Sequence, residues 1–498
     1  MSTPERSERP DEETPLLRSP SRSSSTQSAR TQTPLPKLQL SLLVFLQMAE
    51  PMTSQCIYPF VNQLIRDLGI THGDEEKVGY YAGLIEALFF LTEAVTVLQW
   101  SRLSDHVGRK PIVIVGMSGI MISMVLFGLS RSYTMLIVSR CICGALNGNV
   151  GVMKSLLAEI TDDTNISRAI PVMTVAWAVG STIGPLIGGL LARPAERFPK
   201  LFNRPFWTIY PYFLPCAAVA GYVLLLMIAV VLFMKEPIHQ DPPVSEADVA
   251  QNVPAAELAE GATIEHDESV FPLHVPETKN DHPLPLREVL TGRVILAISN
   301  YATLGLLDVA LLALIPLFMS TPIKLGGLGL TPATIGLCLG AFGLSNGFLQ
   351  MLVFSRIMEA WGPKRLFVVS LASFIPIWAF FPLTNALARA HGLSNGVWMA
   401  IGTQILLMVI MDMAYGAIYV FLISSAPNKR SLGATNGLAQ TVISLQRAVG
   451  PVLSTSLFAF TLEINILGGQ GVYVALIALS GLALSVALRL PRKPWKND

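Results

Sequence analysis

Long apolar runs alternate with short polar ones through most of this 498-residue chain. About 20 mostly apolar residues are needed to cross about 30 Å of hydrocarbon. Twelve blocks meet that requirement, at 39–62, 79–100, 111–130, 133–157, 169–192, 211–234, 293–318, 331–354, 366–388, 397–424, 433–459 and 471–490. A helix of a soluble bundle carries charge along its outer face. The stretch from Pro211 to Phe233 carries none, so the soluble alternative fails there. The pattern predicts an all-α membrane protein of twelve transmembrane helices.

The longest internal polar interruption, from Glu236 to about Arg287, is rich in Pro, Ala and acids and has no apolar period. It divides the blocks six and six, as a flexible linker between two bundles would. The expected organisation is a disordered cytosolic tail over 1–37, a six-helix bundle over 38–235, a cytosolic linker over 236–290, a second six-helix bundle over 291–490 and a tail over 491–498. The halves also repeat. SRLSDHVGRKP from Ser101 aligns without a gap on SRIMEAWGPKR from Ser355, and each follows the second span of its half. GSTIGPLIGG from Gly180 is echoed by RAVGPVLS from Arg447 in the fifth span of each half. Parallel repeats about an axis along the membrane normal place a binding site between the halves, near the midplane. The two bundles are therefore expected to be pseudo-symmetric.

Composition narrows the functional classes. Only 14% of residues are charged, against about a quarter in soluble domains. The net charge of +1 offers nothing to a nucleic acid. Cys56, Cys141, Cys143, Cys216 and Cys338 all fall inside apolar blocks and form no C-x-x-C pair, so structural thiols are expected rather than a metal centre or disulfides. No H-E-x-x-H or G-x-x-x-x-G-K-[ST] sequence occurs. An enzyme is therefore not expected, nor a cofactor, nor ATP as the driving force.

Lys and Arg in the short loops balance at nine on each side, so orientation rests on the basic amino-terminal tail and on RLPRKPWK at the other end. Both ends are placed in the cytosol. The sequon Asn165-Ile166-Ser167 then lies cytosolic and stays unglycosylated. The first block would act as its own insertion signal. In the tail, Glu12 with Leu16 and Leu17 fits an acidic dileucine sorting signal, which leaves the plasma membrane and the vacuolar membrane both open. The chain is expected to work as a monomer in the bilayer.

Two segments carry the most specific chemistry. A tight turn between spans two and three needs a backbone that Gly108 supplies. There Asp105 can meet backbone amides or a helix end, while Arg109 and Lys110 anchor the span at the surface. In span five, Gly180, Gly184 and Gly188 recur at four-residue steps around Pro185, with Gly189 beside the last of them. Small faces of this kind let helices approach closely in lipid, and the proline should bend the span.

The order D-x-x-G-R-K-P over Asp105, Gly108, Arg109 and Lys110, with its degenerate twin around Glu359 and Gly362, resembles the loop signature of the major facilitator superfamily. The order G-x-x-x-G-P-x-x-G-G from Gly180 resembles the antiporter signature of the twelve-span drug:proton antiporters. YPFVNQLIRDLGI, RCICGALNGNVGVMKSLLAEI, AWAVGSTIGPLIGGLLARPAERFPKLF, YFLPC and KEPIHQ follow the zinc-induced-facilitator-like branch through most of residues 40–240. The resemblance implies that the turn locks and gates the two halves. It also implies export of drugs, other organic solutes or metal-chelating metabolites against protons. SQCIYPF and EPIHQ keep one Cys and one His of that branch's richer signatures, so the chain looks closer to a drug or metabolite exporter than to a metal carrier. A non-transporting nutrient sensor on the same fold stays open, although the short tail after residue 490 gives it little room to signal.

Ionisable residues inside a membrane mark function. Glu50 precedes Pro51 in span one, and Glu86 shares a face of span two with Glu93. Asp308 lies mid-span seven and Asp412 mid-span ten. A carboxyl in a low dielectric loses hydration when charged, so it can take a proton on one side and release it on the other. Glu50, Asp308 and Asp412 are the leading candidates for that role, with Glu86 beside them. Static pairing with Arg140, Lys154 or Arg447 is the competing reading. Arg140 opens RCICGALNG, which resembles the family's fourth-span motif implicated in proton coupling. Asn147 and Lys154 on that span are expected to face the cavity. Glu93 is expected to partner the charged turn, and Tyr415 and Tyr419 could stack on a flat substrate. The acids of the loop after span one, Asp67, Asp74, Glu75 and Glu76, are expected to be a solvated face.

Overall fold

The computed structural model describes residues 36–148, 152–153, 156–157, 160–161, 166–235, 286–427 and 432–495. The dileucine signal of Glu12, Leu16 and Leu17, the greater part of the linker and Lys154 lie outside the described residues, as does the side chain of Asp105. The described residues form helices and no strand. Twelve helices fill the two bundles: α1 (Lys37–Cys56), α2 (Val78–Val107), α3 (Arg109–Gly128), α4 (Tyr133–Leu146), α5 (Ile166–Leu191), α6 (Phe213–Phe233), α7 (Gly292–Ser320), α8 (Pro332–Ala372), α9 (Phe374–His391), α10 (Asn395–Ser425), α11 (Leu432–Glu463) and α12 (Gly471–Ala487). Among the described residues, seven helical segments are long and apolar enough to cross a membrane, and three shorter apolar helices accompany them. One of the seven, Pro332–His391, holds the eighth and ninth blocks in a single run.

Helix pairing follows the sequence repeat. α1 packs on α5 as α7 packs on α11, α2 on α4 as α8 on α10, and α3 on α6 as α9 on α12. The halves meet along two seams, α5 against α8 and α2 against α11. A shift of six helices exchanges these two seams. The aligned turns also share a shape. Gly108 has φ 101° and ψ 162°, and Gly362 has φ 75° and ψ 162°. The break expected between blocks eight and nine therefore falls at Gly362, where non-helical backbone separates two helical stretches.

The glycines of span five pack as small faces should. A methyl added at Gly180 would lie 2.6 Å from the Met48 carbonyl oxygen, and one at Gly184 would lie 2.7 Å from that of Met52. One at Gly188 would run into Cys56. Gly180, Gly184 and Gly188 thus seat α5 on α1. Gly189 faces the other way, onto Pro332 and Gly336 of α8.

Two blocks break earlier than their apolar pattern implies. α1 ends at Cys56, and the chain turns before a short helix over Val61–Asp67. α4 stops at Leu146 because Asn147 leaves helical geometry with ψ 67°. The helix break exposes backbone carbonyls, and that of Ala145 takes the indole N–H of Trp100 at 2.7 Å. An unpaired carbonyl at membrane depth would be costly, so this bond stabilises the break.

The end of the bundle away from Gly108 is called the far end. Its loops are stitched by ion pairs rather than solvated as isolated acids. Arg193 donates to both carboxylate oxygens of Asp67 at 2.8 Å, and Arg66 meets Glu75 at 2.6 Å. The Lys77 ammonium beside Asp74, at 2.8 Å, holds that carboxyl below its usual range.

Candidate functional site

Apolar cores locate the space between the halves. One continuous core joins Cys56, Ile57 and Val219 of the first half to Leu314, Phe381 and Tyr473 of the second, across the seams near the far end. Toward Gly108 the halves have separate cores, one around Leu43, Val113 and Val230 and another around Val294, Ala297 and Ala439. Glycine contacts follow the same division. Methyls at Gly79 and Gly83 would meet Thr455 of α11, and those at Gly336, Gly340 and Gly343 would meet Pro185, Leu186 and Thr182 of α5. The far end is closed by closely packed helices.

Between these regions lies a central cavity with walls from both halves. Glu50, Glu86, Asp308, Tyr415 and Arg447 line it, with Phe90, Trp177 and Tyr301 as its aromatic walls. Two of its acids are held alike. The Tyr58 hydroxyl donates to Glu86 Oε1 at 2.6 Å, and the Tyr415 hydroxyl donates to Asp308 Oδ2 at 2.7 Å. Glu50 is also engaged. Tyr301 sets its ring edge-on to Tyr415, with centroids 6.2 Å apart.

The remaining candidates lie elsewhere. Asp412 turns to α8, where Asn346 Nδ2 and Gln350 Nε2 donate to its Oδ2 at 2.6 and 2.8 Å. Asn147 is buried and donates to Glu93 Oε1 at 3.0 Å. Glu93 thus has its partner inside the bundle, at the α4 break, and not at the charged turn. Tyr419 is half-exposed and stands off the cavity wall. Arg140 is buried against aromatic faces, 4.8 Å from the Phe127 centroid and 5.9 Å from that of Phe89. Faces of this kind carry negative charge and accommodate a guanidinium. Among the described residues, neither Arg140 nor Arg447 has a carboxylate oxygen within 4.0 Å. Static pairing of the cavity acids with those two arginines is therefore absent.

At the turn, Arg109 Nη1 donates to Ser104 Oγ at 2.5 Å. Lys110 Nζ donates to the carbonyls of Val231 and Met234 at 2.9 Å each, at the end of α6. Its twin Lys364 donates to the Leu488 carbonyl at 2.9 Å, at the end of α12. A cation at a helix C-terminus meets unsatisfied carbonyls and the negative end of the dipole. Sequence reasoning missed Tyr58, Asn346, Gln350 and Trp177. The two amides had a signal, as polar residues four apart in an apolar span; Tyr58 had none, because its partner is 28 residues away.

Twelve helices in two pseudo-symmetric bundles, with a polar cavity between them, define a membrane transporter. The sequence pattern of the Major Facilitator Superfamily matches residues 43–451, and the chain belongs to that family. It is a multi-pass membrane transporter and not an enzyme. It is 31% identical to the major facilitator-type transporter psiT2 of Psilocybe cyanescens over 93% of this chain and 92% of that one. It is 29% identical to the efflux pump azaK of Aspergillus niger, over 91% and 87%. It is 30% identical to Protein ZINC INDUCED FACILITATOR 1 of Arabidopsis thaliana, over 86% and 85%. Among solved structures, a D-xylose-proton symporter has the same fold, with TM-score 0.68 at 12% identity over 92% of this chain and 98% of that one.

Proposed function

We propose that the protein exports small organic compounds in exchange for protons, by rocking its halves about the central cavity. The observation that carries this reading is the pair of acids Glu86 and Asp308. One comes from each half, both line one cavity, and each is held by a tyrosine hydroxyl. A carboxyl at membrane depth exchanges its proton according to which side it faces, since desolvation favours the neutral form and water access restores the charged one. With the Gly108 turn assigned to the cytosol, the closed far end corresponds to a cavity reached from the cytosol, where an exported compound loads. The efflux name of the Aspergillus relative supports the outward direction. The glycine signature on α5 supports the antiport class.

The test is flux of a fluorescent dye into proteoliposomes containing the full chain, with and without a pH gradient. Dye accumulation is expected to depend on the gradient and to fall about a hundredfold in Asp308→Asn. Accumulation that persists without the gradient removes the coupling.

A further inference from the structure

We infer that Arg447 binds an anionic group of the transported compound, a carboxylate or a phosphate. This deepens the transport reading above and rests on it. Arg447 belongs to α11, and its guanidinium stands 6.0 Å from the centroid of Phe90 on α2, across the seam between the halves. It lines the central cavity and is half-buried there. Among the described residues it makes no hydrogen bond and no ion pair, although three acids share the cavity wall. Each of those acids is engaged already, Glu86 by Tyr58, Asp308 by Tyr415, and Glu50 with a partner of its own.

A guanidinium at membrane depth costs several kcal/mol unless something uses it. Charge balance with acids at longer range needs only a positive charge, and a compact ammonium would serve. A planar fork of five N–H donors has a narrower use, because it matches two oxygens of a carboxylate or phosphate at once. The surroundings suit the rest of such a ligand. Phe90, Trp177 and Tyr301 present flat apolar surface around the same cavity, as small-molecule sites do around a few fixed polar groups. The position also fits the rocking motion. A ligand held by Arg447 of the second half, against Phe90 of the first, contacts both moving bodies.

Four probes of one shape test this: benzoate, phenyl phosphate, benzylamine and benzyl alcohol. The measurement is thermal stabilisation of the purified full-length protein at one pH, with no gradient. Benzoate and phenyl phosphate are expected to stabilise the wild type at about tenfold lower concentration than the amine or the alcohol. Arg447→Gln is expected to abolish the difference, and Arg447→Lys to keep part of it. Equal stabilisation by all four probes overturns the inference, and so does anion stabilisation that survives Arg447→Gln. Arg447→Met, which keeps the apolar stem, replaces the Gln variant if that does not fold. If neither folds, the ranking of probes on the wild type decides. The two readings fail separately. Anion preference with gradient-independent flux removes proton coupling and leaves the Arg447 site. Coupled flux without anion preference does the reverse.

Discussion

In the first half Glu93 on α2 accepts from Asn147 at the end of α4, at 3.0 Å. In the second half Asp412 on α10 accepts from Asn346 and Gln350 on α8, at 2.6 and 2.8 Å. The helix pair is the same under the six-helix shift, and acid and amide have changed places. Around these bonds the halves agree closely. The turn glycines Gly108 and Gly362 share one backbone shape, and the lysines beside them clamp the last helix of each half. Pairing, turns and clamps answer to geometry, which a duplicated bundle must keep in both copies. A hydrogen bond between two helices asks only that one side donate and the other accept. Which helix carries the acid is then free to differ, and that freedom makes a symmetric scaffold electrically lopsided.

The seams extend the comparison and give the largest expected effect. A methyl at Gly336 would meet the Pro185 carbonyl oxygen and lie 2.9 Å from the Gly189 Cα, so both obstacles are backbone. One at Gly83 would meet the Thr455 hydroxyl, a side chain that can turn, with the Pro451 carbonyl oxygen at 3.1 Å. Overpacking of a tight contact costs about 1–3 kcal/mol. Gly336→Ala is therefore expected to depopulate the closed far end on the order of a hundredfold, and Gly83→Ala about tenfold. Thiol labelling of an Ala459→Cys probe, placed where α11 faces Gly79, reads the opening, and proteoliposome flux reads its consequence. Equal effects of the two substitutions would mean that the seams yield alike and that the backbone distinction is empty.

Much of this scaffold was legible in the chain. Twelve apolar blocks, a turn needing positive φ and a glycine stripe are local signals, and repeated landmarks show the duplication without any tertiary knowledge. The direction in which each side chain points was not legible. In a soluble helix the polar face identifies the core face. In a lipid-embedded helix both faces are apolar, so periodicity says little about rotation. Asp308 and Asp412 looked equivalent, as mid-span acids, yet only Asp308 lines the cavity. Tyr58 and Glu86 meet because α1 ends early at Cys56, a break that the apolar pattern hides.

Exchanging the acid and the amide tests the comparison directly. Asp412→Asn keeps the shape of the α8–α10 bond and removes its charge, and flux is expected to fall about tenfold, the scale of one charge-assisted hydrogen bond. Adding Asn346→Asp returns a carboxyl to the pair on the α8 side, the arrangement of the first half. Flux of the double variant is expected to recover to within about threefold of wild type, a coupling that neither single change supplies. No recovery would show that the acid must sit on α10, and the difference between the halves would then be functional rather than free.

The smallest effect concerns the feature in which the halves agree most. Lys110 meets two carbonyls at the end of α6, and Lys364 meets one at the end of α12. A cation at a helix end contributes about 0.3–1 kcal/mol, and more where it is partly buried. Lys110→Met is expected to lower Tm by about 1 °C and Lys364→Met by about half as much, with flux in both staying within about twofold of wild type. Differential scanning of the purified variants beside a flux assay separates two accounts of the turn. A clamp moves Tm and spares flux, because it acts within one half. A gate moves flux and spares Tm, because it acts between the halves. Loss of flux in Lys110→Met at unchanged Tm would assign this lysine to gating and would make the match with Lys364 a likeness of shape alone.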